Sequence, residues 1–146
     1  GGRLHEDIEI LFSGKKYFTQ VVRGREACDM PSRRWNKPSI MVTCEANYSN
    51  AHGTPWVYQH QGIGKVVGMP VPGTMTSVSW ETLLDPTLYF GIPIVGYRLP
   101  DGSYLENKQL EPDVKIANSP EKIIKGEDEQ LKTAVKELLK EIDSKK

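Results

Sequence analysis

A chain of 146 residues is long enough to bury one hydrophobic core, so a single domain over residues 1–146 is the default. Its 19 basic and 19 acidic residues cancel without a basic block, which argues against electrostatic binding to nucleic acid or an anionic membrane. No apolar run approaches the roughly 20 residues that span a bilayer, and the two cysteines, Cys28 and Cys44, have neither metal-ligand spacing nor the density of a disulfide scaffold.

The chain opens on Gly1-Gly2-Arg3 with no initiator methionine, as the interior of a longer protein would. Leu4, Ile8, Leu11 and Phe12 recur at helical spacing, and Gly14 is a reasonable stop. Tyr17 to Val22 is rich in β-formers and reads as a strand, whereas Arg23 to Lys37 reads as a long polar loop. Ser39 to Thr43 is a short apolar run expected to be a buried strand. A polar turn follows it, and from Ala51 a helix can begin. Lys65 to Gly68 reads as a short buried strand, the segment from Met69 to Thr76 as turns, and Ser77 to Trp80 as a strand. Ile94 to Leu99 and Ser103 to Glu106 flank Pro100-Asp101-Gly102 as a hairpin would. Ser119-Pro120 is a cap followed by proline at the first helical position. The last helix places Leu131, Ala134, Val135, Leu138 and Ile142 on one face, with Asp128 and Lys132 paired across a turn. Strands alternating with helices predict an α/β layer structure, with residues 1–118 as the core and 119–146 as closing helices.

Ser49 is the most informative residue. A serine where a strand turns into a helix can hold its hydroxyl exposed at a sheet edge, while the next backbone N–H groups face a developing oxyanion. A plain N-cap serine occupies the same place.

The motifs Asn47-Tyr48-Ser49-Asn50-Ala51, Gly62-Ile63-Gly64-Lys65-Val66-Val67-Gly68-Met69-Pro70 with Gly73-Thr74, Asp101 to Asn107 with Pro112-Asp113, and Gly126-x-x-x-Gln130-Leu131 occur in that order after Gly1-Gly2-Arg3. Together they resemble the S41 family of serine peptidases, in its tricorn-like branch. The resemblance implies a β/α superhelix of the Clp protease and crotonase type, with this chain the C-terminal part of a larger catalytic domain. It also implies peptide-bond hydrolysis without metal or organic cofactor. In that reading Ser49 is the nucleophile, the N–H groups of Gly2 and Asn50 form the oxyanion hole, and Glu106 is the acid that orients the base through a serine. The lysine base of the C-terminal-processing branch has no counterpart near Pro72-Gly73-Thr74-Met75, and the histidine and serine of the tricorn-like branch would lie upstream of Gly1. Peptide is then the substrate, the rest of the parent protein a partner, and a homo-oligomer open.

Other readings remain. Glu106 could be a surface carboxylate on a hairpin, His52 a helix-surface histidine, His60 a partner of the helix C-terminus, and Cys44 an inert buried thiol. Trp56, Tyr58 and Trp80 are expected in the core ahead of a substrate groove. The whole chain could be a non-catalytic peptide-binding module or an acyl-CoA enzyme of crotonase type, although the Ser49-Asn50 turn and the Glu106 motif argue against the last.

Overall fold

The computed structural model describes residues 2–145; Gly1 of the opening glycine motif lies outside them. Helix α1 (His5–Ser13) is followed by β1 (Phe18–Val22), β2 (Arg25–Met30), β3 (Ile40–Thr43), α2 (Asn50–His60), β4 (Lys65–Gly68), β5 (Ser77–Thr82), β6 (Tyr89–Val95), β7 (Val114–Lys115), α3 (Pro120–Ile123) and α4 (Glu129–Ser144). The chain is α/β.

The centre is a three-stranded parallel sheet in the order β3-β4-β7. Parallel neighbours need a crossover, and α2 supplies the one between β3 and β4. Val66, Val67 and Val71 are fully buried, and Tyr58 from α2, Met75, Leu105, Leu110 and Ala134 from α4 complete the core. Each valine that leaves water in this way contributes about 1.5–3 kcal/mol. Gly68 has φ +130°, and a Cβ there would meet the Thr43 carbonyl oxygen at 2.1 Å, so β3 and β4 close up only around glycine.

Proline inside α2 needs a local explanation. Pro55 has no N–H to give the Ala51 carbonyl, but Asn47 Nδ2 donates to that oxygen at 3.0 Å. Asn47 Oδ1 meanwhile accepts from the Cys44 N–H at 3.2 Å, so one side chain bridges the end of β3 and the first turn of α2. At the other end of the chain Asp128 caps α4 by accepting the Leu131 N–H at 2.8 Å, and Glu137 ties α4 to β4 through Lys65 at 2.9 Å.

Several expectations change. Arg25–Met30 is a strand rather than part of a loop: Arg23 (φ 44°) and Gly24 (φ 80°) make a two-residue turn of the left-handed kind that hairpins favour. Strand β6 begins at Tyr89 and pairs with β5, while Arg98 and Tyr104 share only a single bridge. The turn at 100–102 forms as read, with Gly102 N–H donating to Leu99 O at 2.9 Å. On α4, Ala134 is buried but Leu131 and Val135 are about half exposed. Lys132 pairs with Glu127 instead of Asp128, which serves as the cap. Cys44 lies just past β3, half-buried, and both cysteines are free. Among the described residues no helix is long and apolar enough to cross a membrane.

His52 is the main surprise in the core. It is 0% exposed, not on the helix surface, and neither ring nitrogen has a hydrogen-bond partner. Burial holds its pKa below the ordinary 6.5, with the Glu106 carboxylate pulling weakly the other way. The unfolded chain therefore takes this proton more readily than the folded one. The stability that His52 lends by staying neutral is complete above pH 6.5 and is lost as pH falls below it. Thermal denaturation between pH 8 and about 5.5 should show Tm falling with acid, and His52→Leu should flatten that fall. Parallel curves for the two proteins would contradict it.

Candidate active site

The end of β3 and the start of α2 hold Ser49 in an uncommon conformation, φ 54° and ψ −126°. A non-glycine residue there carries strain of about 1–3 kcal/mol, so its surroundings must over-determine it. Its N–H donates to the Thr74 carbonyl at 2.6 Å, and its own carbonyl accepts from His52 N–H at 2.8 Å and Gly53 N–H at 3.1 Å. The hydroxyl makes no capping bond, although Ser49 occupies the N-cap position. A plain cap serine would spend its oxygen on the helix N–H groups. Here the side chain is left to the cleft beside it.

That cleft, about 530 Å³, is lined by Ser49 and Tyr48 from the turn, Gly2 and Arg3 from the N-terminal segment, Thr74 and Thr76, and Ser77, Val78 and Trp80 from β5. Gly2 has φ +118°, a conformation that suits glycine, and nothing crowds its Cβ position. Asn50, the first residue of α2, brings that distant segment in. Its side chain is buried, with 6% of the residue exposed; Oδ1 accepts the Leu4 N–H at 3.0 Å and Nδ2 lies 2.5 Å from His5 Nδ1. Its backbone N–H belongs to the first turn, where no intrahelical acceptor exists. Gly2 and Ser49 thus share one hollow, and the side chain of Asn50 is what anchors the residues just after Gly2.

Glu106 is half-buried and not a free surface carboxylate. Its Oε2 accepts Met75 N–H at 2.8 Å and Thr76 N–H at 2.6 Å. These bonds and one from the Thr76 side chain hold its pKa below the ordinary carboxylate value, against the opposing effect of burial, which is the largest single contribution. Asn107 N–H donates to Gly73 O at 2.8 Å, so residues 73–76 are fixed from both sides: by 106–107 and by Ser49. Met75 in turn packs against Gly53, where an added Cβ would lie 2.6 Å from the Met75 methyl group.

The other candidates sort differently. Trp80 is 65% exposed and lines the cleft rather than the core, whereas Tyr58 is buried and bonds Ser39. His60 is exposed at the end of α2 and stacks on Trp56 with ring centroids 4.4 Å apart. His5, with no role evident in the sequence, braces Asn50 and meets the Tyr97 ring edge-on. Among the described residues, none that lines the cleft is a histidine or lysine. A larger hollow of about 610 Å³ lies between α2, β4 and α4, but its lysines Lys65, Lys140 and Lys145 are already paired with Glu137 and Glu141. Sequence reading missed the clasp made by the Asn50 side chain and the bridge made by Asn47; asparagines beside a strand-to-helix turn are the hint, since their side chains readily bond nearby backbone.

Comparison with known proteins follows the same outline. Over 128 residues the chain is 24% identical to a Sulfurisphaera tokodaii protein described as a tricorn-like protease C-terminal subunit, covering 86% of this chain and 15% of that one. The crystal structure of tricorn protease matches with a TM-score of 0.83 at 22% identity, over 98% of this chain and 14% of that one. A Parabacteroides merdae protein described as a peptidase matches with a TM-score of 0.66 at 19% identity, over 92% and 47%. The chain spans about one seventh of the tricorn-like relative's length. The α/β fold is therefore that of tricorn protease. The model of peptidase family S41 matches residues 1–116, and the chain belongs to that family, with tricorn-like proteins among its relatives.

Proposed function

We propose that this chain carries the nucleophile and oxyanion hole of a serine peptidase that hydrolyses peptide bonds through an acyl-enzyme on Ser49. The observation that carries the reading is the Ser49 turn itself: a strained backbone, a hydroxyl unspent on capping, and a cleft shared with Gly2. In this mechanism Ser49 Oγ attacks the scissile carbonyl carbon while a base takes its proton. The carbonyl oxygen becomes an oxyanion that accepts from the N–H groups of Asn50 and Gly2. Collapse breaks the C–N bond, the base returns the proton to the leaving amine, and water releases the acyl group by the reverse sequence. One such oxyanion donor is worth about 3–4 kcal/mol in the transition state.

The base comes from sequence outside this chain, and Glu106 helps orient it while its Oε2 accepts from the N–H groups of Met75, in the core, and of Thr76, which lines the cleft. Peptides are the substrate, and the rest of the parent protein, in one or several copies, completes the site. Residues 1–118 then form the peptidase core and 119–146 the closing helices. One observation favours the rival reading of a non-catalytic peptide-binding module: among the described residues, no histidine, lysine or carboxylate lines the cleft beside Ser49.

A fluorophosphonate probe on the full-length parent separates the two. Labelling at Ser49, with peptide turnover abolished by Ser49→Ala, is the expected result, and the isolated chain should turn peptides over negligibly. Silence of Ser49 in an intact parent would favour the module. Asn50→Ala keeps the backbone N–H but removes the clasp on Leu4. It should cost about 1–3 kcal/mol in urea denaturation and lower kcat/KM of the parent about tenfold to a hundredfold, because the Gly2 donor loses its anchor. Wild-type kinetics in that variant would count against Gly2 as an oxyanion donor.

A further inference from the structure

Helix α1 begins without a capping side chain of its own, and the N–H of its N-cap residue, Leu4, donates instead to Asn50 Oδ1 at 3.0 Å. The polarity of that contact is fixed, because a backbone N–H can only donate. It sets which end of the Asn50 amide faces Leu4 and turns Nδ2, which also can only donate, toward His5. His5 Nδ1, 2.5 Å away, must then accept, so the neutral imidazole carries its proton on Nε2. The other tautomer would set the contacts against each other. An N–H at Nδ1 calls for the flipped amide, and Leu4 N–H would then face Nδ2, donor against donor. The ring of His5 thus decides whether the Asn50 oxygen is available to Leu4.

The same ring reaches a second wall of the cleft. It makes an edge-to-face contact with Tyr97, centroids 6.5 Å apart, and the Tyr97 hydroxyl lies 3.3 Å from Ser77 Oγ at the start of β5. Ser77 lines the cleft, as do Gly2 and Arg3, which lead into Leu4. Half-buried His5 therefore joins the Gly2 side of the cleft to the foot of β5.

We propose that His5 is a positioning residue of the Ser49 site: its bare Nδ1 locks the Asn50 amide in the orientation that holds Leu4, and through Leu4 the backbone of Gly2. The kinetic consequence rests on the peptidase reading, in which Gly2 N–H is an oxyanion donor; the lock on Leu4 does not. Such a donor has its full value only when it is held in place before the charge forms. The device asks for an acceptor at position 5 rather than for bulk. An asparagine there would place a carbonyl oxygen near the position of Nδ1 in a smaller side chain, whereas a leucine would keep the bulk and offer Nδ2 nothing.

The test uses the full-length protein with His5→Leu and His5→Asn and reads both structure and kinetics. Hydrogen exchange at the Leu4 amide should speed about tenfold in His5→Leu and stay near wild type in His5→Asn. The amides of Val66 and Val67, buried in β4, should be unchanged in both. With peptide substrate, kcat should fall about tenfold in His5→Leu at nearly constant KM, because the oxyanion forms only on the way through the transition state, and His5→Asn should recover most of it. Adding His5→Leu to Asn50→Ala should lower kcat no further than Asn50→Ala alone, since His5 acts through that amide. Retained protection of Leu4 in His5→Leu, equal behaviour of His5→Leu and His5→Asn, or additive losses in the double variant would each overturn the proposal. Faster exchange at Val66 and Val67 would overturn it too, by making His5 a support of the whole fold. Fluorophosphonate labelling of Ser49 in the unmutated protein keeps the two readings apart. If Ser49 stays unlabelled the peptidase reading fails, while exchange at Leu4 still decides whether His5 locks the Asn50 amide.

Discussion

The backbone of Ser49 is held in a region that an L-residue adopts only under compulsion, and three hydrogen bonds supply the compulsion. One runs outward, to the Thr74 carbonyl, and two run inward from the first turn of α2. The outward bond ties the turn to a segment that Glu106 and Asn107 fix from the far side. The parallel pairing of β3 and β4, closed around Gly68, sets where α2 begins and hence where the turn must sit. If the bond from Ser49 to Thr74 were lost, the serine would relax toward an ordinary cap and its hydroxyl would turn to the helix N–H groups. The chemistry proposed for this site therefore depends on strain that the fold sustains.

Asparagine does the work of assembly at two positions on either side of the serine. Asn47 compensates the carbonyl that Pro55 cannot satisfy and so keeps α2 regular through its proline. Asn50 reaches across to the N-terminal segment and holds Leu4, which keeps Gly2 at the cleft. Both bonds are to backbone atoms, so they fix the course of the main chain itself. That suits a site whose proposed electrophilic groups are main-chain amides, whose placement within a fraction of an ångström decides their value.

Much of this was legible in the sequence. The period of Leu4, Ile8, Leu11 and Phe12 gives α1, the apolar run ending at Thr43 gives β3, and Lys65 to Gly68 is read to the residue. The order of weak motifs pointed to the S41 family, to which the chain belongs. What escaped has physical causes. Strand β2 is exposed on both faces and polar, so nothing in its side chains alternates; only the left-handed turn at Arg23-Gly24 makes it. Strand β6 starts early because it pairs with β5, a long-range choice that local pattern does not carry. His52 looked like a surface residue because histidine is polar, but it lies on the buried side of α2 with none of it exposed. Trp80 looked like core because tryptophan is large, and it is instead a wall of the cleft.

The most direct measurement is a crystal structure of the full-length protein inhibited by a peptide boronate, whose tetrahedral adduct mimics the transition state of acyl transfer. The expected result is a covalent bond from Ser49 Oγ to boron, with one adduct oxygen about 3 Å from the backbone nitrogens of both Asn50 and Gly2 and the Asn50 side chain still holding Leu4. An adduct that leaves either amide unengaged, or bonds a residue other than Ser49, would contradict the assignment.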